Sequence, residues 1–131
     1  YILDFKDNFN LLSSSCFNLN CPGVVMPLCH HLVEGMKVGS IPITNCENFV
    51  YPNLTQKNSL NYTSIEELNN KIQQALHMPE DKILFMRSNV LNYYKSYLSP
   101  ESFKIKFKKI KEKNKKKIIF CDDHRSVNQI K

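Results

Sequence analysis

The sequence predicts an α/β fold: a partial Rossmann-like domain, with a short parallel sheet flanked by helices and a C-terminal helical segment. Three observations carry that expectation. Short apolar runs such as Ile41-Pro-Ile43 alternate with stretches whose apolar residues recur at helical spacing. Proline, glycine and serine-glutamate signals stand where helices of that pattern would begin and end. The chain of 131 residues is long enough for one core, and strands separated by helices favour parallel pairing.

Taken in order, residues 1–5 (Tyr-Ile-Leu-Asp-Phe) read as a first strand. The chain opens directly on that run with no Met, so a cut through a longer protein is the expectation. Residues 6–23 are polar, carry a serine run at Ser13, Ser14 and Ser15, and close on Pro22-Gly23. They read as a long loop with at most a helical turn, and long loops in small domains tend to be functional. Residues 28–37 place Leu28, Leu32, Val33 and Met36 on one helical face, and Gly39 stops that helix.

Residues 40–44 follow as a short strand. Pro42 cannot donate to a ladder, which fits a sheet edge or a strand end where the chain leaves the sheet. Residues 45–58 are a loop, and residues 59–62 are a further short strand. Ser64 with Glu67 three residues later forms a capping box. The helix it opens runs to about His77 with Ile65, Leu68, Ile72, Ala75 and Leu76 as its apolar face. Pro79, Glu80 and Asp81 open the next helix, striped by Ile83, Met86, Val90, Leu91, Tyr94 and Leu98. Ser99-Pro100-Glu101 begins a shorter third helix with Phe103, Phe107 and Ile110 as its apolar residues. Residues 117–121 read as a last strand and 122–131 as a tail. The domain division is therefore 1–100, a half-domain lacking its N-terminal partner, and 101–131, a basic helix with the last strand and tail.

Net charge is +6, and nine lysines against the single acid Glu112 concentrate it in residues 104–117. Such a stretch suits nucleic acid or an anionic membrane surface. No base-reading motif accompanies it, so a solvated helix is the expectation and no nucleic-acid partner is expected. No run of apolar residues reaches the length of a membrane span. The five cysteines are irregularly spaced and read as buried free thiols. One disulfide among Cys16, Cys21, Cys29 and Cys46, or a zinc site of Cys16, Cys21, Cys29 and His30, are the minor alternatives. Asp122-Asp123-His124 reads as a strand end, not a cation site, and the sequons at Asn53 and Asn61 matter only in a secretory lumen.

The chemistry concentrates in residues 27–44. A long loop feeding a short helix beside a strand end is where ligands of open α/β sheets bind. Such a helix start offers free N–H groups to a phosphate, with His30 and His31 as further donors. Glu34, one turn on, can accept hydrogen bonds from vicinal hydroxyls. Gly35 and Gly39 keep the helix slim.

Glu34-Gly-Met-Lys-Val-Gly39-Ser-Ile-Pro-Ile resembles the C-terminal donor-site motif of two-domain GT-B-type glycosyltransferases, in which a Glu-Ala-Met-Ala-x-Gly-x-Ile-Pro-Val-like helix and strand follow an Arg- or His-bearing loop. Exostosin-like and related glycan- or capsule-building transferases are the branch it is most similar to, and the likeness extends in order through Met86-Arg87 to Tyr97. The resemblance implies a UDP- or GDP-sugar as donor substrate with no tightly bound cofactor and no metal. His30 and His31 would lie by the diphosphate, Glu34 by the ribose or sugar, and Gly39 and Ser40 around the base-and-ribose pocket. The missing N-terminal domain, a glycan acceptor and membrane association through absent segments would complete the enzyme, and no catalytic base is identified. This piece alone is expected to bind donor weakly and turn nothing over. The alternatives are a non-catalytic α/β binding domain and a basic nucleic-acid-associated module.

Overall fold

The computed structural model describes residues 4–21 and 30–112. The elements are α1 (Phe5–Ser14), β1 (Phe17–Asn20), α2 (His30–Lys37), β2 (Ile41–Thr44), a 3-10 turn (Glu47–Phe49), β3 (Leu60–Asn61), α3 (Ile65–Leu76), α4 (Glu80–Tyr93), a π-helical turn (Tyr94–Leu98) and α5 (Pro100–Glu112). The three strands form one parallel sheet in the order β1-β2-β3, so the α/β class read from the sequence holds.

The N-terminal part departs from expectation. Residues 1–3 lie outside the described residues, but Phe5 begins a helix: Asp4 caps α1 by accepting from the Asp7 backbone N–H at 2.8 Å. The stretch 6–23 supplies most of a helix and a whole strand, not a loop. Strand β1 alternates Phe17 and Leu19 with Asn18 and Asn20, and it is the asparagines that are buried. A period-two pattern was present, but inverted in polarity, because the Asn18 face lies under α2. The expected last strand at 117–121 and the tail fall outside the described residues.

Strand β2 is the middle strand, which excludes the edge, one of the two placements expected for Pro42. Successive residues of a parallel strand direct their N–H groups to opposite neighbours. Ile41 donates to the Cys16 carbonyl at 2.8 Å, toward β1, so the nitrogen of Pro42 faces the β3 side. There β3 starts only at Leu60, paired with Ile43 one step further on. The missing donor therefore has no strand carbonyl to serve. Burial on both faces explains why Ile41, Pro42, Ile43 and Thr44 are all inaccessible.

The core joins Leu32 and Met36 of α2, Ile41 and Ile43 of β2, Leu60, and Met86, Val90 and Tyr93 of α4. Complete burial of a side chain such as Leu32 or Met36 contributes about 1.5–3 kcal/mol. Helix α3 begins as expected, with Ser64 Oγ accepting from Glu67 N at 3.1 Å, while the Glu67 carboxylate reaches back to the N–H and hydroxyl of Thr63, both at 2.7 Å. Its apolar face is narrower than expected. Ala75 is buried and Leu68 and Ile72 half-buried, but Ile65 and Leu76 are exposed. A helical step of roughly 100° places Leu68 and Ala75 together and leaves Ile65 and Leu76 at the margin of the stripe, in the terminal turns.

Helix α4 continues into the π turn, closed by Ser99 N–H to the Tyr94 carbonyl at 2.9 Å. Arg87 donates to the Ser15 carbonyl at 3.2 Å, placing a cation at the C-terminus of α1. Helix α5 has 13 residues, against 14 in α4, and its Phe103 and Phe107 are exposed.

Candidate functional site

The order β1, α2, β2 in a parallel sheet fixes which end of α2 faces which edge. The chain leaves the carboxyl end of β1, returns through α2 and re-enters at the amino end of β2. His30 and His31 therefore stand at the carboxyl edge of the sheet and Gly39 and Ser40 at the amino edge. The eight residues of α2 separate them by about 12 Å.

Two contacts seat α2 on β1. Asn18 Nδ2 donates to the His31 carbonyl at 3.3 Å, fixing the first turn. Gly35 lies directly on the same amide: a Cβ there would stand 2.5 Å from Asn18 Nδ2 and 2.9 Å from Oδ1. The close approach expected of Gly35 is present, made to a buried side chain on the neighbouring strand.

His30 and His31 are exposed, with ring centroids 6.3 Å apart. His31 Nδ1 lies 3.5 Å from Glu34 Oε2, the histidine side chain 56% and the glutamate 27% accessible. The half-buried carboxylate thus orients one imidazole. An imidazolium at His31 would direct Nδ1–H to Glu34 and keep Nε2–H for an anion. Glu34 retains acceptor capacity for hydroxyl donors.

Gly39 and Ser40 end the helix. Gly39 has φ +78°, its N–H bonds the Met36 carbonyl at 3.2 Å, and Ser40 N–H bonds the Gly35 carbonyl at 2.9 Å. This is the Schellman arrangement, which turns the chain into β2. Ser40 is fully buried. The structure does not bring Gly39 and Ser40 to the edge where His30, His31 and Glu34 stand.

Residues the sequence reading passed over share that edge. One register row crosses the sheet as Asn20, Thr44 and Asn61, all on the face carrying Asn18. Thr44 Oγ1 accepts from Cys46 N–H at 3.0 Å, holding the chain as it leaves β2. Asn20 is 3% exposed, and its Oδ1 finds no partner among the described residues; the same holds for Asn61 Oδ1 and, in the turn after β2, Glu47 Oε2. Buried acceptors without donors are uncommon and call for a reason. An asparagine-rich row at the end of strands was the available signal, obscured by the abundance of asparagine throughout the chain. Asn61, being part of this strand row, is poorly placed as a glycosylation acceptor.

Among the described residues no cluster of three His, Cys, Asp or Glu side chains could hold a metal. Cys16 and Cys21 are free but exposed, which corrects the expectation of buried thiols there, and Cys46 is buried; Cys29, Cys121, Asp122, Asp123 and His124 lie outside the described residues. No protein-family model, curated protein or solved structure matches the chain.

Proposed function

We propose that this chain is the donor-binding part of a glycosyltransferase and holds a nucleotide-diphosphate sugar, a UDP- or GDP-sugar, for transfer to a glycan or other acceptor. The observation that carries the reading is the placement of α2. It starts at the carboxyl edge of a parallel β1–β2 pair and carries His30, His31 and the half-buried Glu34 on its first turns. That edge is where open α/β sheets take nucleotides, and a helix start there favours an anion.

The groups along this edge divide by chemistry. The imidazoles are donors suited to the diphosphate oxygens. Glu34, whose side chain is 27% accessible, is an acceptor suited to ribose or sugar hydroxyls. Neutral histidine lacks the fixed charge of arginine, so the backbone N–H groups at the start of α2 share the task of holding the diphosphate. Gly39 and Ser40 act on the site from a distance, by fixing where α2 ends. No residue is assigned as catalytic base. The acceptor and the remaining catalytic groups belong to parts of the enzyme outside this chain.

Saturation-transfer NMR with UDP-, GDP- and CMP-sugars tests the assignment. Binding of one nucleotide class, weakened about tenfold or more by Glu34→Ala in a folded variant, is the expected result. Absence of binding by any of the three to the folded chain would end the donor-site assignment.

A further inference from the structure

We infer that α5 is a surface-lying helix that docks on an anionic lipid bilayer. Its packed side is settled by contacts: Ser102 is buried and its N–H donates to Ser99 Oγ at 3.1 Å, and Lys106 Nζ sits 5.2 Å over the Tyr97 ring and donates to the Tyr97 carbonyl at 3.3 Å. Roughly a quarter turn round from Ser102 and Lys106 stand Phe103 and Phe107, four residues apart, 61% and 40% exposed, with ring centroids 6.1 Å apart. Adjoining them, Lys104 and Lys108 are exposed on the next strip. These four side chains line one apolar hollow on the helix surface.

Exposed aromatic pairs on a soluble face are the informative kind of apolar exposure. The lysines beside them say what covers the pair. Residues 102–109 carry four lysines and no acid, so the partner is anionic. The hollow between the rings offers no hydrogen-bonding group, so the part of the partner that enters it is hydrocarbon, not a nucleobase edge or a peptide backbone. A bilayer with anionic headgroups supplies both at the right relation: acyl chains for Phe103 and Phe107, and phosphates for ammonium groups that reach outward on their stems. No helix among the described residues is long and apolar enough to cross a membrane, which leaves α5 lying in the interface plane. This docking stands apart from the donor-site reading, since α5 shares no residue with it.

The test is co-sedimentation of the whole chain with vesicles of phosphatidylcholine alone or mixed with phosphatidylserine, with circular dichroism confirming the fold of each variant. Binding to the mixed vesicles only is expected. Lys104→Gln with Lys108→Gln should weaken it by roughly thirtyfold, from the usual surface attraction of two lysines. Phe103→Ser with Phe107→Ser should weaken it by about tenfold or more. The same charge change at Lys57 and Lys82, far along the chain, should leave it within about twofold. No sedimentation with anionic vesicles overturns the inference. So does binding that survives the double phenylalanine change, concentration-dependent self-association through the same residues without lipid, or preference for a salt-sensitive RNA or DNA ligand over the vesicles.

Discussion

Replacing Gly35 with alanine places a methyl group against the Asn18 amide, and the structure gives the terms of the outcome. The new Cβ would meet Nδ2 at 2.5 Å, Cγ at 2.8 Å and Oδ1 at 2.9 Å, so the whole amide has to turn away. Asn18 is 9% exposed and its Nδ2 bonds the His31 carbonyl, so turning it breaks a bond in a site with little room. Overpacking of this kind costs about 1–3 kcal/mol and the lost hydrogen bond about 1 kcal/mol. Against this, alanine in a helix interior gains about 0.5–1 kcal/mol over glycine. The net expectation is destabilisation of about 1–3.5 kcal/mol. In an Asn18→Ala background the obstructing amide is gone, and the same change should stabilise by about 0.5–1 kcal/mol. Urea unfolding of the four proteins of this cycle, followed by far-UV circular dichroism, reads the coupling directly. A Gly35→Ala variant more stable than wild type with Asn18 intact would refute the packing argument, because it would show an unobstructed helix position.

Other elements give sharper single expectations. Gly39→Ala forces a side chain into φ +78° with Leu91 Cγ 3.1 Å from its Cβ, and should lose about 1–2 kcal/mol in the same unfolding assay. Ser64→Ala removes the N-cap of α3 and should lose about 1 kcal/mol. Hydrogen bonds from the side chain and backbone of Thr63 hold the Glu67 carboxyl below its ordinary value. The stability this confers is fully present above pH 4.5 and disappears as pH falls through the depressed value, an acid-side loss that Glu67→Gln should flatten. Burial, with the neighbouring Tyr97, pushes the Tyr93 phenol up to about 12 from 10.0. Its contribution is complete below pH 10 and is lost between pH 10 and 12, so alkaline unfolding should be shallower in Tyr93→Phe. That variant should also lose about 1 kcal/mol at neutral pH, since Tyr93 OH donates to the Pro52 carbonyl.

Sequence signals located the elements from α2 onward because each was marked by something local. Gly39 needed its left-handed turn, Ser64 and Glu67 paired across one turn, and Pro79 and Pro100 stood at helix starts. The misreadings share a cause: burial is decided by tertiary partners. Asn18 goes inward because α2 supplies a carbonyl and a glycine surface to meet it, and Asn20 follows on the same face, donating to the Asn18 carbonyl. Pro42 sits in the middle strand because β3 is too short to ask it for a donor. Ile65, Leu76, Phe103 and Phe107 carry the helical pattern but stay exposed, which no periodicity could show. At the site the same division holds. The motif located His30, His31 and Glu34 on one turn, while the carboxyl-edge row of Asn20, Thr44 and Asn61 required the register of three strands.

The resembled transferase pattern has alanine after its glutamate, and this chain has Gly35 there. The exchange makes sense only with β1 in view. An apolar residue at position 18 would pack against an alanine; an asparagine needs the space a glycine leaves and uses it to bond the His31 carbonyl. Position 18 thereby sets the height and azimuth of the turn that bears His31 and Glu34, whose side chains meet at 3.5 Å. The geometry of the turn bearing His31 and Glu34 is consequently set by a residue one strand away from it. On the proposed donor-site reading, a change there would act through the placement of α2 while the exposed imidazoles and the carboxylate remain chemically intact.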